Sequence, residues 1–349
     1  IAPWNYPVQL LLAPLVGVIA AGNTAILKPS EYATHTSNLL TKLINKTFDA
    51  KYIKMIEGAV PETQLLLNEK FDFIFFTGST NVGKIVYQAA AKHLTPVALE
   101  LGGKSPCIVD TDIHLDYTAK RIIWGKFINV GQTCIAPDYL LVDQKIKDAL
   151  VAKMKFYIKE FFGDNPQESE ALSRIINESH FDRLSTYLKD GDVIIGGQTD
   201  REDKYIAPTL MENVGLETGI MQDEIFGPIL PIVEYGNLRE AIDFVNSKSK
   251  PLALYIFSKN DKKIDRVLDE TSAGGVCIND TLMHMANGHL PFGGVGDSGI
   301  GAYHGQHSFD LFSHEKAVLH RSFLVEEPIR YAPYKLGLKW IKKIMDWAL

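Results

Sequence analysis

The sequence predicts an α/β protein with two successive α/β domains and a short tail. Short apolar stretches alternate with longer amphipathic ones along most of the chain, which is the pattern of strands separated by helices. The 349 residues, 46% of them hydrophobic, suffice for two domains of roughly 150 residues each. We expect the domains at residues 1–101 and 102–301, and an oligomerisation tail at 302–349.

In the first domain, predicted helices and strands take turns from residue 8 to residue 99. Strands separated by helices form a parallel sheet that is covered on both faces. The apolar stretch at 8–21 is interrupted by Gln9, Pro14 and Gly17, so it predicts a buried helix rather than a membrane span. The predicted elements are helices at 8–21, 35–48, 62–67 and 82–93 and strands at 24–27, 52–56, 73–76 and 96–99.

Polar and glycine residues follow three of these strands, where a parallel sheet binds its ligands. Lys28 and Glu31 follow the first strand, Gly78 and Ser79 follow the third, and Glu100 comes directly after the fourth. Ligands of open α/β sheets bind beyond the carboxyl ends of the strands. The first domain is therefore predicted to be a Rossmann-like nucleotide-binding domain, although the sequence lacks the glycine fingerprint GxGxxG.

The second domain begins after the glycine pair at 102–103 and repeats the α/β pattern up to a glycine-rich segment at 291–301. A loop that carries Cys134 follows its first long helix. The predicted elements are strands at 106–109 and 193–195 and helices at 116–129, 145–161 and 179–189.

The last fifteen residues, 335–349, predict an amphipathic helix. Its apolar stripe and its lysines lie on different sides, which fits either a packed terminal helix or weak contact with an anionic membrane surface. The stripe comprises Leu338, Ile341, Met345 and Leu349, and the lysines are Lys335, Lys339, Lys342 and Lys343.

Charge and cysteine content narrow the classes of partner. A net charge of −6 leaves no basic surplus for a phosphate backbone, so we expect small-molecule substrates and no nucleic acid. Three widely spaced cysteines match neither a disulfide framework nor a metal site, and they predict a reducing, cytoplasmic setting. Because the chain starts at Ile1 in what reads as the end of a strand, we expect it to be N-terminally truncated.

Cys134 and Glu100 are the residues best suited to chemistry. Cys134 lies in a loop marked by glycine, threonine and proline, whereas Cys107 and Cys277 lie in apolar strands and are predicted to be structural. Glu100 follows an apolar strand and precedes a glycine turn, so burial should raise its pKa towards that of a general base. An inert buried thiol and a turn-capping carboxylate are the alternatives.

Seven motifs, in this order, resemble those of aldehyde dehydrogenases and cover nearly the whole chain. The details around Cys134 and Glu100 are most similar to the class 3 branch, which includes fatty and aromatic aldehyde dehydrogenases. The resemblance implies oxidation of an aldehyde and water to a carboxylic acid with NAD or NADP. The motifs are PWNYP, AAGNTAILKPSE, FTGSTNVGK, LELGGKSP, GQTC, EIFGP and PFGGVGDSG.

The resemblance also implies catalytic roles. Cys134 would be the nucleophile that forms a thiohemiacetal and then a thioester. Asn5 and the backbone N–H of Cys134 would stabilise the oxyanion, and Glu100 would activate the hydrolytic water. Glu224 would bind the nicotinamide ribose, although in class 3 relatives it also points into the site.

Further residues are implied for the cofactor. Lys28 and Glu31 would reach the adenosine ribose, Gly78 and Ser79 would face the pyrophosphate, and Phe226 would pack near the nicotinamide ribose. A loop with a helix cap and an ordinary strand-to-helix turn are the alternatives. Lys28 attracts the 2′-phosphate of NADP and Glu31 repels it, so the choice between NAD and NADP stays open.

A largely apolar substrate funnel is implied by Trp124, Thr133, Met285, Phe292 and His304. For Trp124, core packing is an equal alternative. The class resemblance also implies a homodimer with an exchanged tail. Transfer of the thioester to CoA and a non-catalytic binding role are the competing functions.

Overall fold

The computed structural model describes residues 1–326, 330–333 and 337–348. This described part of the chain divides into two compact units, Ile1–Ser313 and His314–Leu349. The first unit contains all the residues predicted to do chemistry. The predicted domain boundaries at 101/102 and 301/302 stay predictions.

Helices and strands alternate through the first unit, which confirms the α/β prediction. The α-helices are α1 (Gln9–Ala20), α2 (Thr34–Thr47), α3 (Val60–Asn68), α4 (Thr80–Ala91), α5 (Leu115–Phe127), α6 (Lys147–Phe162), α7 (Glu178–Tyr187), α8 (Gly219–Gln222), α9 (Leu238–Asn246), α10 (Asp261–Glu270), α11 (Gly305–Leu311) and, in the second unit, α12 (Leu338–Ala348). The strands are β1 (Ala25–Leu27), β2 (Ile53–Met55), β3 (Ile74–Thr77), β4 (Val97–Glu100), β5 (Pro106–Val109), β6 (Tyr139–Asp143), β7 (Asp192–Ile195), β8 (Thr199–Asp200), β9 (Tyr205–Ile206), β10 (Thr209–Glu212), β11 (Ile229–Tyr235), β12 (Ala253–Phe257), β13 (Gly275–Ile278) and β14 (Gly299–Ile300).

The first 100 residues supply two parallel strand pairs. Strand β1 pairs with β2 and β3 pairs with β4, while β14 returns from the far end of the unit and pairs antiparallel with β4. Residues Ile1 and Ala2 join the two pairs: the Ala2 N–H donates to the Lys28 carbonyl at 2.9 Å and the Thr77 N–H donates to the Ile1 carbonyl at 3.1 Å. The ends of β1, β3 and β4 therefore reach one common edge.

Within the described residues, the largest sheet has seven strands in the order β13-β12-β5-β6-β11-β10-β7. All neighbours are parallel except the edge pair β10–β7. Every residue of β5, β6 and β12 is buried, as expected for inner strands of a sheet covered on both faces. The loop with Cys134 connects α5 to the inner strand β6, so it rises from the middle of this sheet.

Two predicted elements need correction. The helix predicted to reach residue 129 ends at Phe127, because Asn129 and Val130 have φ of 48° and 56°, which no right-handed helix accommodates. The helix predicted at 8–21 to be buried exposes one side, with Val16 68% exposed, while Leu11 and Leu15 are buried. The other predicted elements of the first domain are confirmed within about two residues.

The end of the chain is helical as predicted from its stripe. Leu338, Ile341 and Met345 lie on α12, while Leu349 and Lys335 lie outside the described residues. In the first unit, α11 packs on α1, where a Cβ at Gly17 would lie 2.6 Å from the Ser308 Cβ. In the part of the chain that the structure describes, no helix combines the length and hydropathy needed to cross a bilayer.

Candidate active site

A left-handed stretch of backbone directs the Cys134 loop. Asn129, Val130 and Gly131 all have positive φ, and a β-branched residue such as Val130 rarely adopts this conformation. A Cβ on Gly131 would lie only 2.3 Å from the Gly227 carbonyl oxygen. Glycine at this position therefore permits close contact between the Cys134 loop and the loop that carries Glu224.

Side chains from distant parts of the chain hold the loop. The Gln132 amide donates to the Arg174 carbonyl at 3.2 Å and accepts from the Ile176 N–H at 3.0 Å. The hydroxyl of the fully buried Tyr255 donates to the carbonyl of Ile135, the residue after Cys134, at 2.5 Å. These bonds fix the backbone on both sides of the thiol.

Asn5 lies against the same loop, as its predicted role requires. The Asn5 side-chain Nδ2 donates to the Gln132 backbone carbonyl at 3.1 Å. The Asn5 backbone carbonyl accepts from Asn129 Nδ2 at 3.0 Å. The neighbouring Tyr6 hydroxyl shares a 2.7 Å hydrogen bond with Thr133 Oγ1. One N–H of the Asn5 amide is therefore engaged, and the second is left for another acceptor.

Glu100 is the last residue of β4 and its side chain is buried. Burial raises the pKa of this carboxyl well above its usual range, as predicted. Its Oε1 is sealed from solvent without a hydrogen-bond partner among residues 1–326, 330–333 and 337–348. This isolation argues against the alternative of a turn-capping carboxylate, which would accept backbone N–H groups.

Glu224 lies against the glycine turn that follows β4. A Cβ on Gly102 would lie 2.0 Å from Glu224 Oε2, and the Gly103 N–H is a hydrogen-bond donor to the carboxylate. Burial, and then the negative charge of Asp138, raise the pKa of Glu224 to about 8. The loop is held by Arg183, which donates to the carbonyls of Glu224 and Ile225 at 3.1 and 2.8 Å.

The Cys134 thiol is within electrostatic range of both carboxylates. Burial raises the pKa of Cys134 strongly, and the negative charges of Glu100 and Glu224 raise it further. The backbone N–H groups of Cys134 and Ile135 oppose this shift by donating to the sulfur. The ionisation of the thiol is therefore coupled to the charges of the two carboxyls, as is common for groups at catalytic sites.

The predicted adenosine residues form an ion pair. Lys28 Nζ is buried, donates to the Pro29 carbonyl at 2.8 Å and lies 3.7 Å from Glu31 Oε2, whose side chain is 37% exposed. Burial lowers the pKa of Lys28, and Glu31 partly offsets that effect. Ser30 Oγ accepts from the Tyr32 N–H, so the capping alternative is also realised. The partly exposed Glu31 carboxylate is free to accept from hydroxyl groups of a ligand.

The predicted phosphate residues lie at a helix N-terminus. Ser79 caps α4 by accepting from the Val82 N–H at 3.4 Å, and the Gly78 N–H donates to the Glu100 carbonyl at 3.0 Å. A Cβ on Gly78 would lie 2.5 Å from the Phe76 ring, and the first turn of α4 carries no acidic residue. Free N–H groups and the absence of negative charge suit an anionic diphosphate.

Phe226 has a φ of 52° and packs edge-on against Trp4 with ring centroids 5.5 Å apart. Trp4 packs in the same way on His180, 5.6 Å away. Phe226 therefore lies on the side of the Glu224 loop that faces residues 4–5, and the strained backbone is fixed by aromatic packing.

The five predicted pocket residues are only partly brought together. Phe292 and His304 stack with centroids 5.2 Å apart, and Thr133 is adjacent to Cys134. Trp124 is 39% exposed, so core packing does not account for it. The end of the helix that carries Trp124 lies against residue 281, since a Cβ on Gly125 would touch Thr281. The turn that carries Met285 begins at the next residue, where the Met285 N–H donates to the Leu282 carbonyl.

An open depression of about 420 Å³ adjoins Asn5 and does not include any of these five residues. It marks a second approach to the Cys134 loop, from the side of residues 5–9. Its lining consists of Asn5, Tyr6, Pro7, Val8, Gln9, Asn129 and Ser173.

Comparison with known proteins shows which enzyme family this chain resembles. Residues 1–318 match the aldehyde dehydrogenase family. The chain belongs to this family. It is 52% identical over 344 residues to 4,4'-diaponeurosporen-aldehyde dehydrogenase of Staphylococcus aureus, covering 98% of this chain and 75% of the relative. It is 52% identical over 335 residues to the dimeric NADP-preferring aldehyde dehydrogenase of Mus musculus, covering 95% and 74% of the two chains.

Solved structures of aldehyde dehydrogenases have the same fold as this chain. The substrate-bound state of Staphylococcus aureus AldH superposes with a TM-score of 0.95 at 51% identity, over 99% of this chain and 76% of the other. The resemblance to class 3 aldehyde dehydrogenases and the prediction of aldehyde oxidation are confirmed. NAD or NADP as cofactor is also confirmed at the level of the family, which includes the NADP-preferring relative and a structure complexed with NAD+.

Several residues of this aldehyde dehydrogenase were missed by sequence reasoning. Tyr6 follows Asn5 in the motif PWNYP, so the motif could have predicted that Tyr6 lies close to the Cys134 loop. Tyr255 and Lys126 lie in stretches that read only as strand and helix, and their contacts depend on the sheet order. Of the cysteines predicted to be structural, Cys107 is fully buried, whereas Cys277 on the edge strand β13 is partly exposed.

Proposed function

We propose that this aldehyde dehydrogenase oxidises aromatic or medium- to long-chain aliphatic aldehydes, with Cys134 as the nucleophile. The observation that carries the proposal is that the Cys134 thiol lies within electrostatic range of the buried Glu100 carboxyl and of the half-buried Glu224 side chain. The name of the Staphylococcus aureus relative specifies a diaponeurosporen aldehyde, which supports a large apolar substrate.

In the first step, the Cys134 thiol gives up its proton and its sulfur forms a bond to the aldehyde carbon. The carbonyl π electrons move to oxygen, and the resulting oxyanion needs donors. The second N–H of the Asn5 amide and the Cys134 backbone N–H supply them. Because burial disfavours the free thiolate, thiol deprotonation and carbon–sulfur bond formation are coupled to proton uptake by a neighbouring carboxylate.

The thiohemiacetal must next lose a hydride, and bound NAD or NADP supplies the acceptor. The acyl group then remains on Cys134 as a thioester. Glu100 takes a proton from water, the water oxygen adds to the thioester carbon, and the carbon–sulfur bond breaks to release the acid and the thiolate. The Glu224 carboxylate accepts from a hydroxyl of the nicotinamide ribose.

The remaining predicted residues hold the cofactor and substrate. Glu31 and Lys28 take the adenosine ribose, the turn at Gly78 and Ser79 takes the diphosphate, and Phe226 limits the nicotinamide side. Residues 1–101 then act as the cofactor domain and 102–301 as the catalytic domain. The substrate funnel is formed by Trp124, Thr133, Met285, Phe292 and His304.

Two assembly features accompany this function. The first is a homodimer in which the subunits exchange the tail that begins at residue 302. The Mus musculus relative is named a dimeric enzyme, which supports the homodimer. Weak membrane-surface contact of α12 is favoured by the lysines that flank its apolar stripe. Vesicle flotation of the chain with and without residues 338–349 tests the membrane contact, and sedimentation tests the dimer.

The decisive experiment compares the protein with its Cys134→Ser variant. Formation of reduced nicotinamide is followed with benzaldehyde, hexanal and decanal, each with NAD and with NADP. We expect turnover in the parent and at least about a thousandfold loss in the variant, with nucleotide binding retained. Cys277→Ser is the matched control and should retain turnover. Nucleotide binding without turnover of any aldehyde would favour a binding protein, and acceleration by added CoA would favour the acylating alternative.

A further inference from the structure

Lys126 is a fully buried lysine in the last turn of α5, eight residues before Cys134. Its side chain is completely inaccessible to solvent, yet its Nζ has no hydrogen-bond partner within the described ranges 1–326, 330–333 and 337–348. An ammonium without partners is costly in a protein interior, because no water replaces the three bonds that it can donate. Such a group calls for an explanation.

The charged groups that face Lys126 come from three other segments. They are Asp138 before β6, Lys104 after β4 and Glu224 in its loop. The end of α5 lies beside the Glu224 loop, because a Cβ on Gly131 would be 3.1 Å from the Lys126 carbonyl oxygen and 2.3 Å from the Gly227 carbonyl oxygen. Asp138 and Lys104 already satisfy each other, with Lys104 Nζ 2.6 Å from Asp138 Oδ2. The other oxygen of Asp138 accepts from the Ile225 N–H at 3.1 Å, and Lys104 also donates to two carbonyls, those of Ile220 and Asp223.

Two opposite charges are left over in this cluster. They are Lys126 Nζ and Glu224 Oε1, both sealed from solvent and both without a hydrogen bond in the described part of the chain. The other ionisable groups around Glu224 are Arg183, whose guanidinium donates to backbone carbonyls, and the Cys134 thiol. The Gly103 N–H is the hydrogen-bond donor that Glu224 retains.

We propose that Lys126 is a positioning residue for Glu224, and that its ammonium pairs with the Glu224 carboxylate, directly or through one buried water, whenever that carboxyl is ionised. Pairing gives each group the partner that it lacks, and one water suffices to bridge two buried polar groups. Lys126 thereby sets the pH at which Glu224 becomes a carboxylate. This inference rests on the proposed function only in so far as Glu224 takes part in catalysis.

The pairing predicts a pH effect that a merely structural lysine would not produce. An opposite charge at close range lowers a carboxyl pKa by about 1–3 units. Removal of the Lys126 charge should therefore raise the pH at which Glu224 ionises by about one unit or more. Lys126→Arg should leave the pH at which Glu224 ionises near its original value, whereas Lys126→Met and Lys126→Gln should raise it.

The first test needs no cofactor or substrate. The pH dependence of unfolding is measured for the parent, Lys126→Met, Glu224→Gln and the double variant, and the Glu224 contribution is the difference between the matched pairs. We expect its midpoint to move up by about one pH unit or more in the Lys126→Met background. Lys120→Met, an exposed lysine on the same helix, is the control and should leave the midpoint unchanged. An unmoved midpoint in Lys126→Met overturns the proposal.

The second test is the pH profile of turnover. If Lys126 acts through Glu224, the acid limb shifts upward in Lys126→Met, stays near its original place in Lys126→Arg, and is unaffected by Lys126→Met when Glu224 is already glutamine. A shift that persists with glutamine at 224 overturns the proposal. Unchanged turnover in Glu224→Gln alone instead refutes the catalytic role of Glu224 and leaves the unfolding test in force.

Folding failure is also informative. If Lys126→Met does not fold but the double variant with Glu224→Gln does, the two charges depend on each other, as proposed. If neither folds, the lysine stem is needed for packing and the proposed pairing is rejected.

Discussion

Glu224 should make the protein less stable as the pH rises, and its replacement by glutamine should remove that loss. The pKa of Glu224 rises on folding from an ordinary 4.5 to about 8. The folded protein therefore holds this proton more tightly than the unfolded chain, so stability falls as the pH rises through 4.5, and the loss is complete above about 8. At about 1.36 kcal/mol for each unit, the full effect is about 5 kcal/mol.

The assay is urea unfolding of the cofactor-free protein, followed by tryptophan fluorescence at several pH values. Glu224→Gln keeps the side-chain shape without a charge, so it should match the parent near pH 4.5 and exceed its stability by about 3 kcal/mol near pH 7. Glu217→Gln, at an exposed position, serves as the control.

The outcome depends on whether the Glu224 carboxyl is as isolated as its contacts indicate. Burial is the largest cause of its raised pKa, and Asp138 adds to it, while Gly103, Lys104 and Arg183 oppose both. A difference between Glu224→Gln and the parent that stays constant from about pH 5 to pH 9 would refute this reasoning, because a constant difference reports packing and not ionisation.

Three further predictions concern the loop and the cofactor. Gly131→Ala should destabilise the protein by about 2 kcal/mol or more and abolish turnover, since its Cβ would lie 2.3 Å from the Gly227 oxygen; an unchanged melting temperature contradicts this. Tyr255→Phe should cost about 1–3 kcal/mol by leaving the Ile135 carbonyl unpaired, measured by urea unfolding, and equal stability contradicts the anchoring role. Glu31→Gln should raise the NADP-to-NAD ratio of kcat/KM about tenfold by removing repulsion of a 2′-phosphate, and an unchanged ratio places the phosphate elsewhere.

Local patterns predicted the fold class and the burial of Glu100. The alternation of helices and strands requires only neighbouring residues, so it gave the α/β class and most element positions in the first domain. The burial and raised pKa of Glu100 followed from an apolar strand that ends in glycines. The helix before Cys134 was overextended, because the positive φ of Asn129 and Val130 is imposed by the packing of the loop and not by their own preferences.

The sequence by itself determined which residues are available for chemistry: a cysteine in an irregular loop, a carboxylate at a strand end, and motifs in a family order. The tertiary structure decided which of them meet. Glu224 reaches Gly102, in the turn after Glu100, across more than a hundred residues; Tyr255 reaches the Cys134 loop; and Lys126 is buried without a hydrogen-bond partner among the described residues. These contacts depend on the order of the strands in the sheets, which long-range packing fixes and which no local pattern records.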